Sequence, residues 1–179
     1  ERSGSPYVTK FKADPFDELA IKCSLFSVIV GALVPYIKFM MKNGLDFRIL
    51  ELDKSALKGD ELKYFIPQEC AADAVRTANN IIITGVTLLN DTLEEILSLK
   101  RGGAEVIVVG PTVSMSPKTL FDRGVSYVGG VYTTHADELL DVIAQAGSGY
   151  HFLGKFAEKF VMSREGQASK IWKFNDQNA

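Results

Sequence analysis

Short apolar runs alternate along the chain with amphipathic segments, and most of the runs end in glycine. Three of the runs are nearly continuous in Val and Ile, which is typical of parallel strands covered on both faces. The expected strands are Phe26–Val30, Phe47–Leu52, Ile81–Thr84, Glu105–Val109 and Tyr127–Val128. The glycines expected at strand ends are Gly31, Gly85, Gly110 and Gly129.

The segments between the runs carry the start and stop signals of helices. Pro35 suits a first helical turn, and Asn43-Gly44 suits the end of the same helix. Pro67 is expected to open a second helix that continues to Ala78.

Three further helices are predicted along the second half of the chain. Thr92 and Glu95 have the spacing of a capping box at the start of the first. The second is expected between Ser116-Pro117 and Gly124, and the third between Thr134 and Gly147. The residues expected on the inner face of the third helix are Leu139, Leu140 and Ile143.

Strands that alternate with helices indicate right-handed crossovers and a parallel sheet. We therefore predict a doubly wound, mostly parallel α/β fold of the Rossmann-like kind, with strand order 2-1-3-4-5 and helices on both faces. Residues 1–14 are expected to be an arm or the remnant of a preceding domain, with Tyr7–Thr9 as a candidate short strand, and residues 15–179 to form the α/β domain. Phe156–Met162 is expected to be a strand or a short helix, and Lys170–Phe174 to pack against the sheet.

Composition narrows the class of protein. The 179 residues include 20 Lys plus Arg and 22 Asp plus Glu, for a net charge of −2. No cations cluster as binding to a nucleic-acid backbone requires, so we expect no nucleic-acid partner. The longest uncharged run, Cys23–Ile37, is interrupted by Gly31 and Pro35 and is shorter than the roughly 20 residues of a membrane span. The expected location is the cytoplasm, without a membrane partner.

The strand ends are the predicted ligand site, because parallel α/β sheets bind ligands outside the carboxyl ends of their strands. Glycine there allows close approach and frees backbone amides, and the helix starts that follow suit an anionic group. The candidate binding residues are Gly31, Pro35, Glu51, Thr84, Gly85, Thr87, Asn90, Gly110, Pro111 and Thr112. Glycine-rich dinucleotide and phosphate-loop motifs are missing from the sequence. The same residues also suit tight turns and helix caps without any ligand.

Support for catalysis or metal binding is thinner, and the sequence assigns no cofactor and no catalytic residue. An enzyme would have to use Glu51, Asp53 or His151 as acid or base. A direct metal site would require residues among Cys23, Cys70, His135 or His151 to converge, and no cluster of Asp, Glu, His or Cys at close spacing favours one. Each cysteine is interpreted as a small buried hydrophobe.

The stretch Ile82–Leu93, followed by Val108–Thr112 and Leu120–Val125, resembles the putative heavy-metal-chelation family. Gly31 with Pro35, and then Leu50–Asp53, are similar to the family pattern as well, and the likeness covers about residues 20–162. The resemblance implies a C-terminal Rossmann-like domain preceded by a smaller enolase-like domain, with a cleft between the two as the site, and commonly a homodimer. The arm of this chain is too short for that preceding domain.

Four hypotheses about function follow. The first is a small-molecule-binding domain in which the glycines offer backbone, Thr87 and Asn90 hydrogen-bond the ligand, and Glu51 accepts from a hydroxyl. The second is an enzyme of metal-chelator or cofactor biosynthesis. The third is a direct heavy-metal binder, and the fourth is a structural subunit whose cleft is filled by side chains.

Overall fold

The sheet at the centre of the protein has seven strands in the order β1-β7-β6-β5-β4-β2-β3. The computed structural model describes residues 6–18 and 25–165. The strands are β1 (Tyr7–Phe11), β2 (Ser27–Val30), β3 (Phe47–Leu50), β4 (Asn80–Thr84), β5 (Glu105–Val109), β6 (Tyr127–Thr133) and β7 (Ala157–Arg164). Five of them, β2 to β6, are parallel, and β7 is antiparallel to β6 and to β1. The mostly parallel α/β fold is therefore confirmed.

The described residues form seven α-helices, and all but the last two contribute side chains to a core on one face of the sheet or the other. They are α1 (Pro15–Glu18), α2 (Val34–Lys42), α3 (Ala71–Thr77), α4 (Leu93–Leu99), α5 (Lys118–Asp122), α6 (Ala136–Ala144) and α7 (Gly149–Phe152). Pro35 lies in the first turn of α2, and Gly44, with φ of +61°, follows its end. No helix in the described ranges is both long enough and apolar enough to cross a membrane.

Alternate side chains of the central strands enter two separate cores. Ile81 and Ile83 of β4 are fully buried in one core, together with Val75 of α3. Ile82, between them, is fully buried in the other core, together with Ile37 of α2. Each such isoleucine contributes roughly 1.5–3 kcal/mol through burial of its side chain. This burial on both faces explains why the strand has no polar alternation.

Two antiparallel strands extend the parallel sheet beyond β6. The segment expected as a strand or short helix forms β7, which pairs with every residue of β6 from Tyr127 to Thr133. Part of the N-terminal arm forms β1, which pairs with β7 from Tyr7 opposite Arg164 to Phe11 opposite Phe160. Residues 7–11 are thus a strand of the main sheet. The segment Lys170–Phe174 and Cys23 lie outside the described residues.

The prediction that β6 ends at Gly129 was wrong. Gly129 and Gly130 lie inside the strand, because β7 supplies antiparallel partners up to Thr133. Close packing against neighbouring side chains, and not the end of a strand, explains why glycine stands at both positions. A Cβ on Gly129 would lie 2.2 Å from Cγ of Pro15, and a Cβ on Gly130 would lie 2.4 Å from Cζ of Phe160.

The inner apolar stripe predicted for α6 was also wrong. Leu140 is 63% exposed and Ile143 is 51% exposed, and no residue of α6 is buried. The apolar period of the sequence identified a helix correctly. It could not show that this helix lies outside both cores.

The capping box expected at the start of α4 does not form. Thr92 adopts a helical backbone conformation, and its side chain makes no capping hydrogen bond to the helix. Its hydroxyl instead donates to Oδ1 of Asn90 over 2.8 Å. The predicted cap is therefore replaced by a contact between two side chains of the β4–α4 connection.

Candidate functional site

A cleft of about 570 Å³ opens at the carboxyl ends of β2, β3 and β4. Its volume falls within the range of small-molecule sites, roughly 300–1,000 Å³. The residues that line the cleft are Val30, Gly31, Ala32, Leu33, Leu50, Glu51, Leu52, Ile66, Gln68, Ala71, Ala72, Val75, Thr84, Val86, Thr87, Asn90, Thr92, Glu95, Ile96 and Leu99. Most of them are apolar. The cleft lies where α2 and α4 leave neighbouring strands, which is the switch point of a doubly wound sheet.

Half of the predicted binding residues lie together in this cleft. The five that line it are Gly31, Glu51, Thr84, Thr87 and Asn90. The five that lie outside its lining are Pro35, Gly85, Gly110, Pro111 and Thr112. The first group lies at and after the ends of β2, β3 and β4. In the second group, Pro35 lies in α2, Gly85 follows β4 and packs against Thr112, and the other residues follow β5.

Gly31 brings the ends of β2 and β4 into close contact. Its φ is +99°, and a Cβ at this position would lie 2.6 Å from Cγ2 of Thr84. Its amide, however, donates to the carbonyl of Leu50 over 2.8 Å. The expectation that this amide is free for a ligand was therefore wrong, because the hydrogen-bond ladder with β3 continues through it.

The glycines at the ends of β4 and β5 serve the packing of two 3₁₀ turns, Gly85–Leu88 and Pro111–Val113. A Cβ on Gly85 would lie 2.3 Å from Oγ1 of Thr112. Gly110, with φ of +131°, donates its amide to the carbonyl of Gly129 over 2.9 Å. The amide of Gly110 is thus also used within the sheet, against the expectation.

Three polar side chains of the β4–α4 connection face the cleft in a fixed arrangement. The Thr87 hydroxyl donates to the carbonyl of Thr84 over 2.7 Å, so its oxygen can only accept further hydrogen bonds. The Asn90 Oδ1 accepts from the hydroxyl of Thr92, which orients the amide group. Within the described ranges the Asn90 Nδ2 donates no hydrogen bond. It is available as a donor.

Of the three proposed acid or base residues, Glu51 alone lines the cleft. It is half-buried, and its Oε1 accepts from the amide of Asp53 over 3.1 Å. Asp53 caps the following 3₁₀ turn, and its hydrogen bonds from the side chain and the backbone of Ser55 lower the pKa of its carboxyl group. His151 accepts at Nδ1 from the amide of Ser148 at the start of α7. Asp53 and His151 therefore serve as local caps.

The sequence interpretation missed the two helical walls of the cleft. Gln68, Ala71, Ala72 and Val75 form one wall, at and before α3. Thr92, Glu95, Ile96 and Leu99 form the other, along α4. Both sets follow the spacing i, i+3, i+4 and i+7 of a single helix face. That shared period is the signal that could have identified them.

The described residues do not fit a soft-metal site. Nowhere in residues 6–18 and 25–165 do three or more His, Cys, Asp or Glu side chains come together in a geometry that could hold an ion. Cys70 is exposed and not buried as expected. A tetrahedral structural site requires about four converging ligands.

A family profile and two solved structures indicate the same family. The profile of DUF364, described as "Putative heavy-metal chelation", matches residues 14–162. An uncharacterized protein of Methanocaldococcus jannaschii is 27% identical over 141 residues, which are 76% of this chain and 51% of that protein. The chain thus spans about half the length of the curated relative that it matches.

Two crystal structures of proteins of unknown function from the same family have a similar fold. The protein from Pyrococcus horikoshii has a TM-score of 0.73 at 16% identity, over 86% of this chain and 59% of that one. The protein from Desulfitobacterium hafniense has a TM-score of 0.66 at 19% identity, over 85% of this chain and 57% of that one. At these identities the likeness concerns the fold.

Proposed function

We propose that this chain, which belongs to the putative heavy-metal-chelation family, binds a small organic molecule in the cleft at the ends of β2, β3 and β4. One observation carries the proposal. Polar groups that follow two neighbouring strands, Glu51 after β3 and Thr87 and Asn90 after β4, converge in a mainly apolar crevice between two helix faces. An apolar wall with a few oriented polar groups is the usual composition of a small-molecule site.

The open volume favours binding over the structural alternative. A vestigial site would be filled by its own side chains, whereas this cleft retains about 570 Å³. Thr87 and Asn90 are held by hydrogen bonds to their own loop before any ligand arrives. Such preorganisation lowers the entropic cost of binding.

The family description mentions heavy-metal chelation, and we propose that any such role involves an organic chelator or its metal complex. The described residues support this form of the role better than direct ligation, because they contain no cluster of metal-ligating side chains. Organic chelators, with and without their metals, therefore belong in a ligand screen.

We also propose that the protein is cytoplasmic and that it forms a homodimer. Light scattering of the purified chain over a range of concentrations would test the dimer. A mass that stays at one chain throughout would contradict it.

A thermal-shift screen with a blocked cleft tests the proposed function. The Ala72→Trp substitution places an indole on the α3 wall of the cleft, and Ala144→Trp makes the same change at the exposed end of α6. A ligand of the cleft should stabilise the wild type and the Ala144→Trp variant, but not the Ala72→Trp variant. Ligands that stabilise all three proteins equally would refute a site in this cleft.

A further inference from the structure

The charges along the cleft all have the same sign. Glu51 from the end of β3 and Glu95 from α4 both line it, and its lining contains no Lys or Arg. Within the described part of the chain neither glutamate forms an ion pair, and the Glu95 side chain has no hydrogen-bond partner. Glu51 is half-buried and Glu95 is exposed, so two formal negative charges border a mainly apolar cleft whose lining contains no countercharge.

The basic residues next to the lining in sequence are directed elsewhere. Lys54 places Nζ 5.1 Å from the ring centre of Phe65. Arg76 pairs with Asp73 over 3.3 Å. A third one, Lys100, lies against Gly124, where an added Cβ would be 2.9 Å from its Nζ. None of the three lines the cleft, so none of them neutralises it from within.

The helix starts at the cleft do not reverse this balance. α2 and α4 begin beside it, at Leu33 and Thr92, and a helix start carries about half of an elementary positive charge. Glu94, which does not line the cleft, also lies in the first turn of α4 and offsets its share. The carboxylates of Glu51 and Glu95 outweigh the partial charge that remains, which favours a cationic ligand over the anionic group that the helix starts alone would suit.

We infer that the ligand of the cleft is an organic cation, an amine with an apolar body, and this inference rests on the proposed function. The ammonium group lies against Glu51, the exposed Glu95 adds a second negative charge, and the apolar body lies between the walls formed by α3 and α4. Placing an anion in the cleft is unfavourable because like charges repel, and the repulsion is less screened beside the half-buried Glu51 than beside the exposed Glu95. Phosphates and carboxylates are disfavoured for the same reason.

Three probes of the same shape test the class of ligand: tryptamine, tryptophol and indole-3-acetate. They carry an ammonium, a hydroxyl and a carboxylate on the same indole. Dissociation constants are measured by titration calorimetry on the full chain at neutral pH and low salt. We expect tryptamine to bind most tightly and indole-3-acetate at least about tenfold more weakly, a difference of about 1.4 kcal/mol.

Charge variants locate the effect. In the Glu51→Gln/Glu95→Gln variant the ratio between tryptamine and indole-3-acetate should fall to about threefold or less. The Glu138→Gln/Asp141→Asn variant removes the same net charge from α6, outside the cleft lining, and should retain the ratio. A ratio that falls equally in both variants would mean a long-range effect of net charge and would overturn the inference.

The outcomes separate this inference from the proposed function. If indole-3-acetate binds as tightly as tryptamine and Ala72→Trp abolishes both, the cleft is a site but its ligand is not a cation. If Ala72→Trp leaves the binding of all three probes unchanged, the proposed function fails as well. If none of them binds at millimolar concentration, the cation inference is refuted. The proposed function is then tested by the thermal-shift screen alone.

Discussion

The ammonium group of Lys159 on β7 lies 2.6 Å from the carboxylate of Asp14, which precedes α1. The other oxygen of Asp14 accepts from the Tyr36 hydroxyl of α2 over 2.8 Å and from the amide of Phe16. Burial, and then the neighbouring Asp14 carboxylate, raise the pKa of Tyr36 above its ordinary value. One carboxylate thus joins the start of α1, the helix α2 and the strand β7.

Removing this carboxylate should destabilise the protein. Asp14→Ala leaves the hydroxyl of Tyr36 without its acceptor, so we expect a loss of about 2 kcal/mol in the free energy of unfolding. Asp46→Ala, which breaks an exposed pair with Arg48, should cost less than about 1 kcal/mol. Urea unfolding measures both. Equal losses would mean that the Asp14 network contributes no more than a surface ion pair.

Gly31 should not tolerate alanine. The change adds a Cβ at a φ of +99° and 2.6 Å from Cγ2 of Thr84, so we expect a loss of at least about 2 kcal/mol. Gly102→Ala, where a Cβ would meet nothing within 4 Å, serves as the control.

A double variant separates the two causes at Gly31. Thr84→Ser removes Cγ2, so Gly31→Ala/Thr84→Ser should recover the steric part of the loss and retain the part caused by the backbone conformation. If the double variant is no more stable than Gly31→Ala, contact with Thr84 is not the reason for glycine at this position.

Acid should weaken the link between α5 and β7. Asp122 of α5 accepts from Lys118 over 2.5 Å and from Arg164 of β7 over 2.9 Å, and these two hydrogen bonds lower the pKa of its carboxyl group below 3.8. A lowered pKa in the folded state means that the contribution is complete above the ordinary value of 3.8 and is lost as the pH falls through the folded value.

The Asp122→Asn variant measures this dependence. It should be less stable than the wild type at pH 7, and the difference should shrink as the pH falls below about 4. Asp141→Asn on α6 should show no such dependence, because no described residue pairs with the Asp141 side chain. Urea midpoints across the pH range give the result, and a gap between Asp122→Asn and wild type that stays constant would contradict the assignment.

Two leucines on different helices should respond very differently to truncation. Leu97 of α4 is 6% exposed, and Leu97→Ala should cost about 2–5 kcal/mol. Leu140 of α6 is 63% exposed, and Leu140→Ala should change stability by less than about 0.5 kcal/mol. Thermal unfolding distinguishes the two. A large loss at Leu140 would indicate that α6 is covered in solution.

The side chain of Asn90 should contribute to affinity and not to folding. Asn90→Ala removes an oriented amide from the rim of the cleft, and we expect about fivefold weaker binding of the best ligand from the screen. Asn43→Ala removes a comparable local hydrogen bond, from Nδ2 to the carbonyl of Phe39, outside the cleft and should leave affinity unchanged. Unchanged affinity in Asn90→Ala would remove this residue from the site.

Much of the candidate site followed from one property of parallel sheets. Because the carboxyl ends of parallel strands meet at one edge, Gly31, Glu51 and Thr84 could be grouped before their positions were known. The walls could not be grouped in this way, because Glu95 and Gln68 depend on how two helices pack against the sheet. The function of the group as a ligand site remains a prediction.

The sequence by itself determined the class of fold. Continuous Val and Ile runs need cover on both faces, and a strand such as β4 obtains that cover in a parallel α/β sheet. Glycine and proline marked helix ends locally, as at Pro35 and Gly44, because the range of φ that a residue can adopt depends on its own type.

Only the tertiary structure decided which neighbours each element meets. Pairing with β7 carried β6 through Gly129, the amide of Gly31 bonded to β3, and α6 remained outside both cores. These features depend on contacts between residues that are distant along the chain. Local propensity and periodicity describe what a segment can form, whereas long-range packing and hydrogen bonding decide where it lies and which of its groups remain free.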